Sequence, residues 1–259
     1  MFYNIDCIEG SKKYLKDNSV DLIITDPPFG IEGDKLHSLY NRNESNVIEG
    51  YVEIPIEEYP QFTQKWINEA ERVLKPGGSI YIISGYTNLV HILNSLNNTS
   101  LKQLNHIIWK YNFGVFTKNK FITSHYHILL YVKPGKKHTF NTEAFYSLYQ
   151  KDDKGLNLNY KDREDVWIIN REYKKNQVKN KNELPKNLLK KMILYSSNPD
   201  DLVCDFFLGS FSTAKVAIAL GRNACGFEIN EKAFNYQIKE IQKIKKGEWL
   251  NNDIKNYKN

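Results

Sequence analysis

The chain predicts a doubly wound α/β fold on a largely parallel sheet, and three observations carry that prediction. Short runs rich in β-branched and apolar residues, at 20–25, 79–84, 107–110 and 127–132, alternate with stretches of helical spacing. A further run from Asp201 ends in a glycine turn and passes straight into a helical stretch from Ala214 to Leu220. The length of 259 residues, 41% of them hydrophobic and 25% charged, suits one large domain or one domain with a smaller insert.

Taken in order, Phe2 to Asp6 reads as a short strand ending in an acid, and Gly10 to Lys16 as a brief helix. Asp17-Asn18-Ser19 turns into the strand Val20–Thr25, which stops at Asp26-Pro27-Pro28-Phe29. Gly30 to Glu53 is polar and poorly periodic, a long loop directly behind the prolines. Helical spacing returns from Ile56 to Lys75 through Tyr59, Phe62, Trp66, Ile67, Ala70, Val73 and Leu74, and Lys75-Pro76-Gly77-Gly78 ends it. Ser79–Ser84 is a buried strand, Leu89–Leu96 a helix, and Ile107–Lys110 and His127–Val132 two more strands. Lysine, asparagine and tyrosine dominate from Lys133 to Lys181, where Asp165–Ile169 is the one strong apolar run. That stretch reads as an insert. Its alternation of cations and rings favours nucleic acid, with a solvated lysine-rich surface as the alternative. Pro185–Ser197 is helical, with Leu188, Leu189, Met192, Ile193 and Tyr195 on its buried face.

Net charge is +6, which leans toward an anionic partner. Cys7, Cys204 and Cys225 have no metal-ligand spacing and fit free thiols in a reducing cytosol; no metal is expected. The absence of a signal peptide or long apolar stretch predicts a cytoplasmic protein with no membrane association.

Asp26-Pro27-Pro28-Phe29 suits one kind of chemistry. Neither proline can donate to a strand ladder, and both restrict the residue before them, so the strand end is stiff. It presents a carboxylate, donor-free carbonyls and a ring together. The exocyclic amine of a nucleobase is a poor nucleophile because its lone pair is delocalised. Asp26 and the Pro27 carbonyl can each accept one of its N–H bonds and aim the lone pair, while Phe29 stacks on the base. The plainer reading of these four residues is a proline-capped strand. Further on, the strand–turn–helix through Asp205, Gly209 and Thr213 brings backbone N–H groups up to a ligand, and Glu228 ends the next strand where an acid can accept from two ribose hydroxyls.

Together these motifs resemble the S-adenosylmethionine-dependent DNA amino-methyltransferases of the beta class, in which the Asp-Pro-Pro-aromatic motif precedes the recognition region and the cofactor motif comes last. The resemblance runs over nearly the whole chain and includes Leu74-Lys75-Pro76-Gly77-Gly78, Asp165-Val166-Trp167 and Gly226-Phe227-Glu228. It implies a Rossmann-like, doubly wound mixed sheet of the class I methyltransferase type with a circularly permuted motif order. Residues 1–132 would form the catalytic half of the core, 133–181 the target-recognition region and 182–259 the cofactor-binding half. The implied activity is methyl transfer from S-adenosyl-L-methionine to N6 of adenine in a base flipped out of double-stranded DNA. Asp before Pro-Pro is commoner in the adenine enzymes, and N4 of cytosine is the alternative. Asp26, Pro27 and Phe29 take the catalytic roles. Asp6 and Cys7 fall at the adenine end of the cofactor, Glu228 at its ribose and Asp26 near its methionine part. Asp205, Phe207, Gly209, Ser210, Phe211, Ser212 and Thr213 line its floor.

Two departures from the family pattern stand out. Phe211 occupies the place of a glycine in the usual Gly-Ser-Gly-Thr-Thr, so its ring either turns away or reshapes the pocket. The stretch before Pro185 lacks the usual His-Pro-Thr-Gln-Lys-Pro, and Asn182 becomes the substitute contact to the cofactor carboxylate. DNA contacts are expected from Lys118, Lys120 and Arg171, and from Tyr40 and Arg42 on a 30–53 loop that closes over the flipped base. A cognate restriction endonuclease and a homodimer are the other implied partners. Three rivals have marks against them. A glutamine methyltransferase would carry Asn at position 26 and the opposite motif order. A nicotinamide oxidoreductase would need more glycines than Gly209. An inactive DNA-binding module would follow only if Phe211 spoiled the pocket.

Overall fold

The computed structural model describes residues 1–30, 54–112, 114, 116–172 and 183–250. Its elements are β1 (Phe2–Tyr3), α1 (Cys7–Tyr14), β2 (Val20–Thr25), α2 (Tyr59–Val73), β3 (Leu74–Ser84), α3 (Leu89–Asn97), β4 (Lys102–Lys110), β5 (His125–Val132), α4 (Leu158–Asp162), β6 (Val166–Ile168), α5 (Lys186–Ser196), β7 (Leu202–Asp205), α6 (Ser212–Ala219), β8 (Asn223–Phe227) and α7 (Glu231–Ile241). They form one eight-stranded sheet in the order β1-β8-β7-β2-β3-β5-β4-β6.

Helices cover both faces, as a sheet buried on both sides requires. Along β3, Ile80 and Ile82 point into a core with Trp66, Ile67, Ala70 and Val73 of α2 and Ile92 and Leu96 of α3. Tyr81 and Ile83 point the other way, toward Leu188, Leu189, Met192 and Ile193 of α5 and Ala214 and Ala217 of α6. Strand alternation thus assigns one set of helices to each face. The Lys75–Gly78 stretch lies in an irregularity of the β2–β3 pairing, with Val20 opposite Leu74 but Leu22 opposite Ser79. Gly77 has φ +84, and an added Cβ there would lie 2.8 Å from the Lys137 carbonyl oxygen, so a glycine is needed.

The sheet is mixed. Strands β1, β8, β7, β2 and β3 run parallel to one another, but β5 lies antiparallel to both β3 and β4. Among the described residues no helix joins β4 to β5, and strands joined by a loop pair antiparallel. The brief helix expected from Gly10 begins earlier, at Cys7, because the Asp6 carboxylate caps it by accepting from the backbone N–H of Ile8 (2.9 Å) and Glu9 (3.1 Å). The apolar run at 165–169 extends the sheet: β6 pairs parallel with β4, and Trp167 is buried against the core. Residues 141–162 pack on α5. Asn141 Nδ2 donates to the carbonyls of Leu194 (2.9 Å) and Ser197 (3.0 Å), and Lys191 pairs with Asp162 at 2.8 Å. Among the described residues no helix is long and apolar enough to cross a membrane.

Candidate active site

Four acids stand at the carboxyl ends of four neighbouring parallel strands: Asp6 shortly beyond β1, Glu228 just beyond β8, Asp205 closing β7 and Asp26 just beyond β2. That edge is where parallel α/β sheets bind ligands, because the strand-to-helix turns open there. The pairing of Leu22 with Val203 and Ile23 with Cys204 brings the two ends of the chain's motif set together. Thr25 Oγ1 donates to Asp205 Oδ1 at 3.0 Å across the join, and the Phe207 backbone N–H donates to the same oxygen at 3.0 Å. Burial pushes the Asp205 carboxyl up to about 6 even with these donors in place.

The β7–α6 turn is shaped by backbone. Gly209 and Phe211 both have positive φ, at 48 and 59. The Gly209 N–H donates to Glu228 Oε2 and the Asn230 N–H to Glu228 Oε1, each at 2.8 Å. Each carboxylate oxygen therefore has one fixed donor and a lone pair left for a hydroxyl. Burial raises the Glu228 pKa, against the pull of these two N–H groups. Gly226 lies beneath: a Cβ there would stand 2.3 Å from the Asp205 carbonyl oxygen. The half-buried Phe207 ring packs edge-on to Trp66, with centroids 5.5 Å apart. Ser210 and Ser212 hydroxyls share a 2.6 Å hydrogen bond. Thr213 is buried on the first turn of α6, and Cys7 on that of α1, its thiol pushed well up by burial.

Phe211 turns away from this edge. Its side chain is fully buried between Phe2 of β1 and Phe234 of α7, at centroid distances of 5.2 and 5.9 Å. The left-handed backbone that a glycine adopts readily is kept, and the ring goes into the core beneath the turn.

Asp26 is built differently. Its neighbours are held by side chains: Tyr59 Oη donates to the Pro28 carbonyl (3.0 Å), and Asn88 Nδ2 donates to the carbonyls of Phe29 (2.6 Å) and Gly30 (3.0 Å). None of these three bonds uses the Pro27 carbonyl. Asp26 Oδ1 is buried with no hydrogen-bond partner among the described residues. Burial pushes the Asp26 carboxyl up to about 7; the Arg171 guanidinium draws it down and Asp205 pushes it up. Arg171 itself lies over the rings of Trp109, Tyr111 and Tyr126, at 5.6, 5.4 and 5.3 Å from their centroids. Tyr126 meets Phe29 at 5.7 Å. A carboxylate, a stacking ring and a caged cation thus share one corner of the sheet edge, next to the glycine turn.

A family model for N6/N4 methyltransferases, described as DNA methylase, matches residues 20–240. The chain belongs to this DNA methylase family. Among curated relatives of this methylase, the Type II methyltransferase M.HinfI of Haemophilus influenzae is 32% identical over 252 residues, covering 93% of this chain and 67% of the relative. The DNA adenine methyltransferase YhdJ of Escherichia coli is 32% identical over 260 residues, covering 90% and 84%. The fold is that of M1.HpyAVI, at TM-score 0.63 and 20% identity over 94% of this chain and 98% of that one. It is equally that of the cytosine-N4-specific PvuII DNA methyltransferase, at TM-score 0.65 and 16% identity over 94% and 90%. The class I methyltransferase architecture and the permuted motif order follow, with the cofactor-type turn late in the chain and the proline motif early.

Of the site residues named from the sequence, Asp6, Asp26, Pro27, Asp205, Phe207, Gly209 and Glu228 lie along the carboxyl edge, and Arg171 joins Asp26 there. Lys118 and Lys120 lie exposed on the β4–β5 loop. Tyr40, Arg42, Asn182 and the 31–53 part of the loop fall outside the described residues. Tyr59, Asn88, Trp109, Tyr111 and Tyr126 were missed as site residues. Tyr59 reads only as one apolar position on a helix, and Asn88 as a helix-entry residue, so neither carries a signal of its own.

Proposed function

We propose that this methylase transfers a methyl group from S-adenosyl-L-methionine to N6 of an adenine flipped out of double-stranded DNA. One observation carries the reading: a buried carboxylate oxygen on Asp26 that has no donor among the described residues, beside the Phe29 ring and next to a glycine turn. A buried acceptor with no donor is costly, and an incoming amino group supplies one. Asp26 Oδ1 and the Pro27 carbonyl would take the two N–H bonds while Phe29 holds the base plane.

The turn and strand ends fit the cofactor. The free lone pairs of Glu228 suit two ribose hydroxyls, Gly209 leaves room for close approach, and Phe207 and the Asp6–Cys7 segment border the adenine end. When bound, the cofactor supplies a methyl group on a cationic sulfur, open to attack by the amine. The chain's own part is to aim that amine and exclude water. The amine must then lose a proton, and an Asp26 carboxyl near pH 7 is poised to receive it and release it to solvent.

Adenine is favoured by Asp at position 26 and by the adenine-specific name of YhdJ. N4 of cytosine is the second reading, since PvuII methyltransferase has the same fold. We assign base readout to 133–181 and phosphate contacts to Lys118, Lys120 and Arg171, with Tyr40 and Arg42 on the loop after Phe29. Type II names among the relatives support a cognate restriction endonuclease as partner. Three free, buried cysteines support a cytoplasmic setting, and a homodimer is compatible with it. The test is to incubate the protein with unmethylated DNA and isotopically labelled cofactor, then identify the modified nucleoside by mass spectrometry. N6-methyldeoxyadenosine is the expected product. N4-methyldeoxycytidine would establish the second reading, and an unlabelled digest would overturn both.

A further inference from the structure

The loop joining β4 to β5 exposes two aromatic side chains that none of the described residues covers. Phe121 is 98% exposed and Phe116 76% exposed. Single exposed apolar residues are ordinary, but these two share one short tip with exposed Lys118 and Lys120. Two hydrogen bonds brace the loop. Thr117 Oγ1 donates to the Lys120 carbonyl at 2.5 Å, and the Tyr111 N–H donates to the Ser124 carbonyl at 3.0 Å, closing the loop at its base. Its two arms press together so tightly that a Cβ on Gly114 would come within 2.2 Å of Ile122 Cγ2.

The root of this loop is the wall of the active site. Tyr111 and Tyr126, where the chain leaves β4 and re-enters β5, are 5.3 Å apart; Tyr126 touches Phe29, and both rings lie under Arg171. The tip therefore rises from the place where the reading above puts the flipped base. Lysines beside the rings match a phosphate backbone, and apolar side chains on such a tip can enter a base stack and hold it open.

We propose that Phe116 and Phe121 form a wedge that enters the duplex at the target pair and holds open the gap left by the extruded base, while Lys118 and Lys120 hold the flanking phosphates. The inference rests on the DNA amino-methyltransferase reading and adds the device that makes duplex DNA a substrate. Extruding a base from a matched pair costs more than from a mismatched one, which sets the test.

The methylated sequence is first mapped by sequencing modified bases in DNA treated with the wild-type protein. Short duplexes carrying that sequence are then made with either the complementary base or a mismatched base opposite the target. Single-turnover methyl transfer by the Phe116→Ala/Phe121→Ala double variant should fall about tenfold or more on the matched duplex. On the mismatched duplex it should stay within about threefold of wild type, because the pair is already weakened. Both positions are exposed, so melting temperature and cofactor affinity should be unchanged. An undiminished rate on the matched duplex, or an equal loss on both, would overturn the wedge. A wild-type protein that modifies no base in any DNA would overturn the function beneath it instead.

Discussion

Asp26 and Glu228 occupy equivalent places, just beyond the two parallel strands β2 and β8 that flank β7 on one sheet edge, yet they are built to opposite ends. Glu228 has a backbone donor fixed on each carboxylate oxygen. Asp26 is half-buried, with one buried oxygen that no described residue satisfies, and its anchors, Tyr59 and Asn88, hold the carbonyls that follow it. A satisfied carboxylate shapes a ligand's seat and stays as it is through a reaction. An unsatisfied one stores a cost, on the order of 1–3 kcal/mol, that a correctly placed donor removes. Under the proposed function the difference separates holding from reacting.

The largest expected effect breaks the reacting side. Asp26→Ala should lower the methyl-transfer rate by roughly 10²-fold or more. It should also leave the melting temperature of the free protein unchanged or raised, because the substitution removes a buried oxygen that has no donor among the described residues. A clear fall in melting temperature would place Asp26 among the structural acids. On the holding side, Glu228→Ala should do the reverse in kind. Cofactor affinity by calorimetry should fall about tenfold or more, and stability by about 1–3 kcal/mol in denaturant unfolding, since the Gly209 and Asn230 N–H groups lose their acceptors.

Titration sharpens the same contrast. The fold raises the Asp26 carboxyl from 3.8 to about 7, so it favours the neutral form. That group's contribution to stability is therefore greatest below about pH 4 and declines as pH rises toward 7. Activity runs the other way: an ionised Asp26 is the better acceptor, so kcat/KM should rise with pH to a plateau with an inflection near 7 in the free enzyme. Arg171→Met removes the guanidinium that draws this carboxyl down and should move the inflection to higher pH. An unmoved inflection would show that the caged arginine does not tune this carboxyl. The smallest expected effect on the site comes from Phe211→Gly. It should relieve about 1 kcal/mol of left-handed backbone strain but lose about 3–5 kcal/mol of packing against Phe2 and Phe234. The net loss should appear in unfolding, with cofactor affinity within about threefold of the native protein.

The proline motif at 26–29, the glycine turn at 209 and the acid at 228 were legible because each is a local pattern with a local cause: restricted backbone, a bare turn, a strand end. The apolar, β-branched runs and the helical spacing around them predicted the alternating fold for the same reason. The direction of the Phe211 ring was not legible, because a left-handed residue can send its side chain toward the ligand or into the core, and only the hollow between β1 and α7 settles which. Nor was the cage around Arg171, whose rings come from β4 and β5 and meet because β5 lies antiparallel between β3 and β4. Asn88 and Tyr59 were equally silent, since their hydrogen bonds to the 28–30 carbonyls cross some thirty to sixty residues of chain. Sequence alone determined which chemical groups the strand ends carry, because backbone restriction acts between adjacent residues. The tertiary structure decided which of those groups are satisfied and which are left open, because burial and hydrogen-bond partnership depend on what the rest of the chain brings alongside.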